Sequence, residues 1–323
     1  MRRLLFKNRN RKASRIFFTG SLLLVLLFAV VPGKILASPS YPFPNSQYIT
    51  IDGLKLHYRL WEISNDEFHS NVFMVHGFGG STFSWEEVAD SLSKLGYRVL
   101  AVDVPPFGYS DRAPRQNQSI TYRAALLNAF LSQQFPGEKW HLAGHSMGGA
   151  IVQAMALLYP ENFRSVNFVG ATLFTSINPQ ERQLPLVFRI PGATAFMGNI
   201  AESWIITPGR VEGLIESAYG QKPTPLQIRA YLEPLSIPGT ARAILNAARY
   251  YDEIHQLEAS DLSIPAIAIW GADDTWVSFE SRQHVVEQIK ELELFIMDHA
   301  GHNPMETHFK EFIDIYLAFL NNL

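Results

Sequence analysis

The chain has 323 residues, 47% hydrophobic and 18% charged, a balance typical of globular proteins, which excludes an intrinsically disordered chain. It contains no cysteine, which excludes disulfides, zinc–thiolate sites and cysteine nucleophiles. The first 38 residues hold eight of the 27 Lys and Arg residues and none of the 30 Asp and Glu residues, so the remaining chain has a net charge of −11 and is unsuited to binding nucleic acid.

The N-terminal residues 1–38 have the order of an export signal. Seven Lys and Arg residues precede an apolar run at 16–31, and small residues near Ala37 provide a cleavage site that Ile35 makes imperfect. The run is shorter than the roughly 20 residues of a membrane span. We therefore expect either a cleaved signal peptide or a signal anchor, with the body exported, periplasmic or secreted, or anchored to the membrane. Residues 39–46, rich in Pro and Ser, are expected to be a linker.

The body, residues 47–323, begins with a predicted β-hairpin. Segments 47–51 and 54–60 alternate polar and apolar residues around Asp52-Gly53, a favoured two-residue turn. Continuous apolar runs then predict strands that are buried on both faces, at 71–75, 97–102, 140–143, 166–170, 264–270 and 292–297. Helical spacing of apolar residues predicts the intervening helices, at 85–95, 121–134, 150–158, 279–289 and 309–321.

This alternation predicts an α/β fold: a mostly parallel eight-stranded sheet flanked by helices on both faces. About ninety residues separate the strands 166–170 and 264–270, whereas a crossover needs only a dozen or more. The interval contains helical stretches interrupted by prolines. We expect a helical cap insertion at about 171–260 over the carboxyl ends of the strands, where open α/β sheets place their ligand sites.

One turn, Gly144-His145-Ser146-Met147-Gly148-Gly149, joins a predicted strand to a predicted helix. A serine between glycines at such a turn is typical of a nucleophile elbow, because the tight backbone accepts only small neighbours and exposes the hydroxyl. The alternative is a Gly-rich turn with a helix-capping serine. We take Ser146 as the candidate nucleophile and expect His145 to point away from the chemistry.

A nucleophilic serine needs a base and a group that orients the base. Asp274, after the strand 264–270, is the preferred acid and Asp273 the alternative, although an aspartate beside glycine is often an ordinary turn residue. Beyond the last strand, His302 is preferred to His299 as the base. The reason is Gly301, which lets the loop approach the serine closely.

Two backbone amides are candidates for an oxyanion hole. One belongs to Phe78, in the Gly-rich loop after the strand 71–75, and the other to Met147, at the start of the helix after Ser146. Glycines in the first loop would let a substrate carbonyl approach the main chain. A simple flexible turn is the alternative, but it leaves the placement of both segments at strand ends unexplained.

Taken together, these segments resemble the α/β-hydrolase family, in its esterase- and lipase-like branch. The resemblance rests on five motifs in the family's order: His76-Gly77-Phe78-Gly79-Gly80, residues 103–110, residues 144–149, residues 271–274 and Gly301-His302. It implies that Asp274, three residues after Gly271, is the acid of a catalytic triad. Haloalkane dehalogenases and epoxide hydrolases of this fold carry aspartate at the elbow, so Ser146 argues against both activities.

The resemblance implies a serine hydrolase that cleaves a carboxylic ester, or a related acyl compound, through an acyl-enzyme and without a metal or organic cofactor. The apolar, aromatic-rich cap favours a partly hydrophobic small-molecule substrate. Hydrolysis of carbon–carbon bonds and haloperoxidase-like perhydrolysis use the same triad on this fold, so they remain alternatives. A non-catalytic protein that binds a small ligand is the alternative from another class.

Overall fold

The computed structural model describes residues 42–64, 67–113, 116–175, 206–247 and 256–323. The predicted signal or anchor segment and the first residues of the predicted linker lie outside the described residues, as do two parts of the predicted cap, 176–205 and 248–255. In the portion of the chain that is described, no helix combines the length and the apolar character needed to cross a membrane.

The described residues form one eight-stranded sheet in the order β1-β2-β4-β3-β5-β6-β7-β8. Only β2 runs antiparallel to its neighbours, β1 and β4, and the other neighbouring strands are parallel. The predicted mostly parallel sheet is therefore confirmed. The strands are β1 (Ser46–Ile51), β2 (Leu54–Trp61), β3 (Ser70–Val75), β4 (Tyr97–Val102), β5 (Trp140–His145), β6 (Phe163–Val169), β7 (Ala266–Gly271) and β8 (Leu292–Met297).

Helices cover both faces of the sheet, as the buried strands required. Among the described residues they are α1 (Glu86–Lys94), α2 (Ile120–Gln134), α3 (Met147–Leu158), α4 (Pro208–Tyr219), α5 (Pro225–Leu235), α6 (Thr240–Ala247), α7 (Phe279–Val286), α8 (Pro304–Thr307) and α9 (Phe309–Asn321). Predicted element ends shift by at most three residues. Leu95, predicted on the apolar side of its helix, lies beyond the end of α1 and is 45% exposed.

Alternate residues of the central strands divide the core into two layers. In β3, Phe73 and Val75 pack with side chains of α2, α3 and α7 on one face. Val72 and Met74 point to the opposite face and pack with α1 and α9. Successive strand residues point to opposite faces, so a strand that is apolar throughout is stable only where both faces are covered.

Helices α4, α5 and α6 occupy the described part of the predicted cap. Apolar residues of α4 and α5 pack together in a small core of their own. Pro208 and Pro225 stand at the first positions of α4 and α5, where proline loses no helical hydrogen bond. The expectation that prolines interrupt the helices here is therefore wrong at these two positions: they begin them.

Candidate active site

Ser146 lies between the end of β5 and the start of α3 with φ 51° and ψ −117°, a backbone conformation that costs free energy in any residue with a side chain. Its N–H donates to the carbonyl oxygen of Val169 at 2.9 Å. Its own carbonyl oxygen accepts from the N–H and the hydroxyl of Thr172, both at 3.0 Å. The strained conformation is thus held by contacts with β6 and the loop that follows it.

The glycines around Ser146 allow α3 to lie close to the sheet. A Cβ atom on Gly148 would lie 2.3 Å from the carbonyl oxygen of Val75 in β3. A Cβ atom on Gly144 would lie 2.4 Å from the carbonyl oxygen of Gly148. Both distances are far below van der Waals contact, so the expected need for small neighbours at this turn has a direct steric cause.

Asp274 and His302 form a buried hydrogen-bonded pair. Their side chains meet at 2.8 Å between Oδ2 of Asp274 and Nδ1 of His302, and the two residues are 4% and 3% exposed. The second carboxylate oxygen, Oδ1, accepts from the N–H groups of Trp276 and Val277, both at 2.9 Å. Because Nδ1 donates to the carboxylate, Nε2 is left as the proton acceptor of the ring. Asp273, the alternative acid, is exposed.

Three contacts fix the position of His302. Its N–H donates to the carbonyl oxygen of Ala218 in α4 at 2.7 Å. Its carbonyl oxygen accepts from Nε2 of His145 at 2.9 Å. The indole of Trp276 stacks on its ring, with centroids 5.7 Å apart and planes 21° apart. The loop 298–303, which carries His302 and is called the histidine loop below, is therefore held between the cap and the turn that contains Ser146.

The expectation that His145 points away from the chemistry is wrong. Its ring lies 4.7 Å from that of His302, centroid to centroid, and lines the same cavity. Burial, and next the neighbouring His302, hold the pKa of His145 well below its ordinary value. A neutral imidazole can donate from Nε2 to a carbonyl oxygen without placing a second positive charge beside His302.

Gly301 was expected to let its loop approach Ser146, but the close approach that it allows is to α4. Its open side faces the end of α4, since a Cβ atom there would lie 2.6 Å from the carbonyl oxygen of Ala218. The absence of a side chain therefore allows a close approach to the cap.

We expect Gly301→Ala to lower the free energy of unfolding by about 1–3 kcal/mol, because the added methyl group must push α4 away from the histidine loop. Gly213→Ala is the matched control: Gly213 lies within α4, and no atom of the described residues lies within 4 Å of the position of an added Cβ. Alanine there should raise stability by about 0.5–1 kcal/mol. Urea unfolding measures both changes, and equal stability of the two variants would contradict the steric account.

The Gly-rich loop after β3 lies against the elbow. A Cβ atom on Gly77 would come within 3.0 Å of Cβ of Ser146. His76 anchors this loop from inside: Nδ1 donates to the carbonyl oxygen of Gly77 at 2.7 Å, and Nε2 accepts from the N–H of Val104 at 2.9 Å. Phe78, 57% exposed, lines the cavity beside Ser146. Met147 is the first residue of α3, a position whose amide has no acceptor within the helix.

A cavity of about 370 Å³ joins these groups. Ser146 and His302 line it at the carboxyl ends of the strands, and the described part of the cap covers it with aliphatic side chains. They include Val211, Leu214, Ile215, Leu235, Ile244 and Leu245. No Lys, Arg, Asp or Glu side chain occurs among the described residues that line the cavity.

A larger, more open groove of about 570 Å³ lies at the amino ends of the strands, lined in part by His69, His141 and Arg164. Burial lowers the pKa of His141 to about 4, so this ring is neutral near pH 7. The candidate nucleophile, base and acid all lie at the other end of the sheet. Nowhere in the described ranges do three or more acidic or histidine side chains group as metal ligands would.

Comparisons with known proteins agree with this architecture. The family model for the alpha/beta hydrolase fold matches residues 71–195. A 2-hydroxy-6-oxononadienedioate/2-hydroxy-6-oxononatrienedioate hydrolase of Burkholderia vietnamiensis is 27% identical, over 85% of this chain and 95% of that protein. Lipase 3 of a Moraxella species is 24% identical over 78% of each chain.

Among solved structures, a serine hydrolase involved in carbazole degradation superposes with a TM-score of 0.68 at 20% identity. The alignment covers 86% of this chain and 99% of that one. The family match extends over four neighbouring strands of the sheet, β3 to β6, and over the elbow that precedes α3. By its sheet order and by these matches, the chain has the α/β-hydrolase fold, and its residues 71–195 are similar to the family of that name.

Proposed function

We propose that this α/β-hydrolase cleaves carboxylic esters whose acyl or alcohol part is apolar and uncharged, with Ser146, His302 and Asp274 as its catalytic triad. The observation that carries the proposal is the buried pair of Asp274 and His302, which opens onto the same cavity as the strained Ser146. The N-terminal segment 1–38 supports the further proposal that the enzyme acts outside the cytoplasm, with the segment either removed or kept as an anchor.

In the proposed reaction, Nε2 of His302 takes the proton of Ser146 as its Oγ attacks the ester carbonyl carbon. Asp274 holds the ring in the required tautomer and stabilises the imidazolium. The amides of Phe78 and Met147 donate to the developing oxyanion, each stabilising the transition state by about 2.7–4 kcal/mol. The imidazolium then protonates the departing alkoxide, and water activated by His302 releases the acid from the acyl-enzyme.

The character of the cavity supports the choice of substrate. Its described walls are aliphatic and aromatic, and its polar groups beyond Ser146 are a few hydroxyl, amide and imidazole groups near the histidine loop. An apolar acyl chain gains free energy by leaving water for such a wall, whereas a carboxylate would be desolvated without a cationic partner. This contrast favours neutral esters.

Carbon–carbon bond hydrolysis is the second candidate, favoured by the similarity to the dienedioate hydrolase of Burkholderia vietnamiensis. The substrate named for that relative is a dicarboxylate. The described cavity lining of the present chain offers no cationic side chain for a carboxylate, which is the reason for ranking ester hydrolysis first.

The test combines covalent labelling with a substrate panel. A fluorophosphonate probe should label Ser146, as located by peptide mass spectrometry, because the probe reacts with activated serines. Among p-nitrophenyl esters, the butyrate should be cleaved with a kcat/KM at least about tenfold above that of the anionic hemiglutarate, because the extra carboxylate must be desolvated. An unlabelled protein would support the non-catalytic binder. Preferred cleavage of a dienedioate would support the carbon–carbon hydrolase.

A further inference from the structure

A carboxylate–tyrosine cluster lies beside the site, and the proposed reaction does not use it. Glu306 belongs to α8, four residues after His302. Its Oε2 accepts from the hydroxyl of Tyr219 at 2.5 Å. Its Oε1 accepts from the hydroxyl of Tyr231 at 2.6 Å and from Nδ2 of Asn303 at 2.9 Å. Both carboxylate oxygens are therefore occupied by donors.

The cluster joins the cap to the segment 302–306. Tyr219 is the last residue of α4 and Tyr231 lies in α5, so both hydroxyls come from the cap. Glu306 and Asn303 belong to the segment that carries His302. The hydroxyl of Ser84, in the turn after the Gly-rich loop, lies 3.0 Å from that of Tyr231 and extends the cluster toward the loop that carries Phe78.

The charges of the cluster fit this arrangement. Glu306 is half-buried as a residue, but its carboxyl group is enclosed, and this burial raises its pKa above the ordinary value. Burial, together with the nearby carboxylate, also raises the pKa of the hydroxyls of Tyr219 and Tyr231. The phenols therefore stay protonated as donors, and their hydrogen bonds stabilise the carboxylate where water is excluded.

The end of α4 reaches His302 by two further contacts. The carbonyl oxygen of Ala218, the residue before Tyr219, accepts from the N–H of His302 at 2.7 Å. The hydroxyl of Ser217 accepts from the indole N–H of Trp276 at 3.1 Å, and this indole stacks on the ring of His302. One helical turn of the cap thus contacts the histidine main chain, the aromatic ring that supports the imidazole, and Glu306.

We propose that Glu306 is a positioning residue for the base. By accepting hydrogen bonds from Tyr219 and Tyr231 it sets the position of α4, and α4 in turn fixes the position of His302. The inference rests on the proposed role of His302. The hydrogen bond from His302 N–H to the carbonyl oxygen of Ala218 requires the last turn of α4 to lie against the histidine loop. The hydrogen bond of the adjacent Tyr219 to Glu306 keeps that turn in place. A base displaced by a fraction of an ångström transfers protons less efficiently, while the cavity that binds the substrate stays unchanged.

Tyr219→Phe removes one hydroxyl of the cluster and keeps the ring. We expect it to lower kcat for p-nitrophenyl butyrate about tenfold or more, with KM changed less than about twofold, because the base and not the pocket is displaced. The matched control is Tyr122→Phe. Tyr122 also donates to a carboxylate, Oδ2 of Asp52 at 2.7 Å, but on an exposed surface away from the cavity. It should leave kcat unchanged.

The second readout does not depend on ester turnover. The proton shared by Asp274 and His302 should give a low-field NMR resonance, which Tyr219→Phe should shift or broaden and Tyr122→Phe should not. Glu306→Gln should keep more activity than Glu306→Ala, because the amide keeps one acceptor oxygen and offers a donor to the other phenol.

Wild-type kcat together with an unchanged resonance in Tyr219→Phe would overturn the proposal. A loss of kcat that Tyr122→Phe reproduces would overturn it as well. If Tyr219→Phe does not fold, Tyr231→Phe carries the same test at the other oxygen of Glu306. If the wild-type protein cleaves no ester but the resonance still responds to Tyr219→Phe, the proposed function fails while the positioning role stands. Failure of the two ideas is therefore distinguishable.

Discussion

Ser146→Ala should lower kcat for ester hydrolysis by about 10⁶-fold, because it removes the atom proposed to form the acyl-enzyme. The substitution should leave the fold intact. Alanine at φ 51° meets the same backbone strain that serine already tolerates, and the bonds that hold the turn come from main-chain atoms of Ser146. KM should change little, since the walls of the cavity are unaltered. Steady-state kinetics and fluorophosphonate labelling measure the effect.

A second buried serine provides the control. Ser165 also hydrogen-bonds a histidine, with its hydroxyl 2.8 Å from Nδ1 of His141, but this pair lies near the amino ends of the strands. Ser165→Ala should keep kcat within about twofold of wild type, as expected for a change far from the chemistry. Labelling that survives in Ser146→Ala would show that a different residue is the nucleophile.

Asp274→Asn should lower kcat by about 10⁴-fold, because it changes which nitrogen of His302 carries the proton. The geometry makes this outcome specific. Two main-chain N–H groups, of Trp276 and Val277, donate to Oδ1 of Asp274 and would keep the oxygen of an asparagine side chain on that side. Its NH₂ group would then face Nδ1 of His302, which would have to accept. Nε2 would carry the proton and could not take one from Ser146.

Asp273→Asn is the control for this prediction, since it makes the same chemical change one residue earlier at an exposed side chain. Its kcat should match wild type. A loss of kcat in this variant comparable to that of Asp274→Asn would show that the negative charge of the loop, and not the bond to His302, is what matters.

The sheet and the candidate catalytic groups were predictable because they follow from local patterns. Continuous apolar runs locate the parallel strands, and parallel strands bring their carboxyl ends to one edge. That rule places Ser146, Asp274 and His302 near each other although they are distant in sequence. The choice of Asp274 over Asp273 agrees with the hydrogen bond to His302, which only Asp274 makes.

What the sequence did not predict depends on contacts between distant segments. His145 is 157 residues from the carbonyl oxygen that it binds, and Tyr219 is 87 residues from Glu306. A periodic pattern of apolar residues does not indicate which distant side chains form hydrogen bonds with each other. The aromatic content of the cap predicts only an apolar surface for the substrate, whereas Tyr219 and Tyr231 donate hydrogen bonds to Glu306.

The hydrogen bond from His302 to Ala218 limits how this enzyme can be diversified. In a modular hydrolase, exchanging the whole cap would alter substrate range and leave the catalytic machinery untouched. Here the cap supplies the acceptor for the main-chain N–H of His302, the candidate base. A transplanted cap must therefore provide a carbonyl oxygen at the position of that of Ala218, at the end of α4. Changes of specificity are therefore best introduced as single substitutions along the aliphatic wall, at Val211, Leu214 or Ile244, which line the cavity.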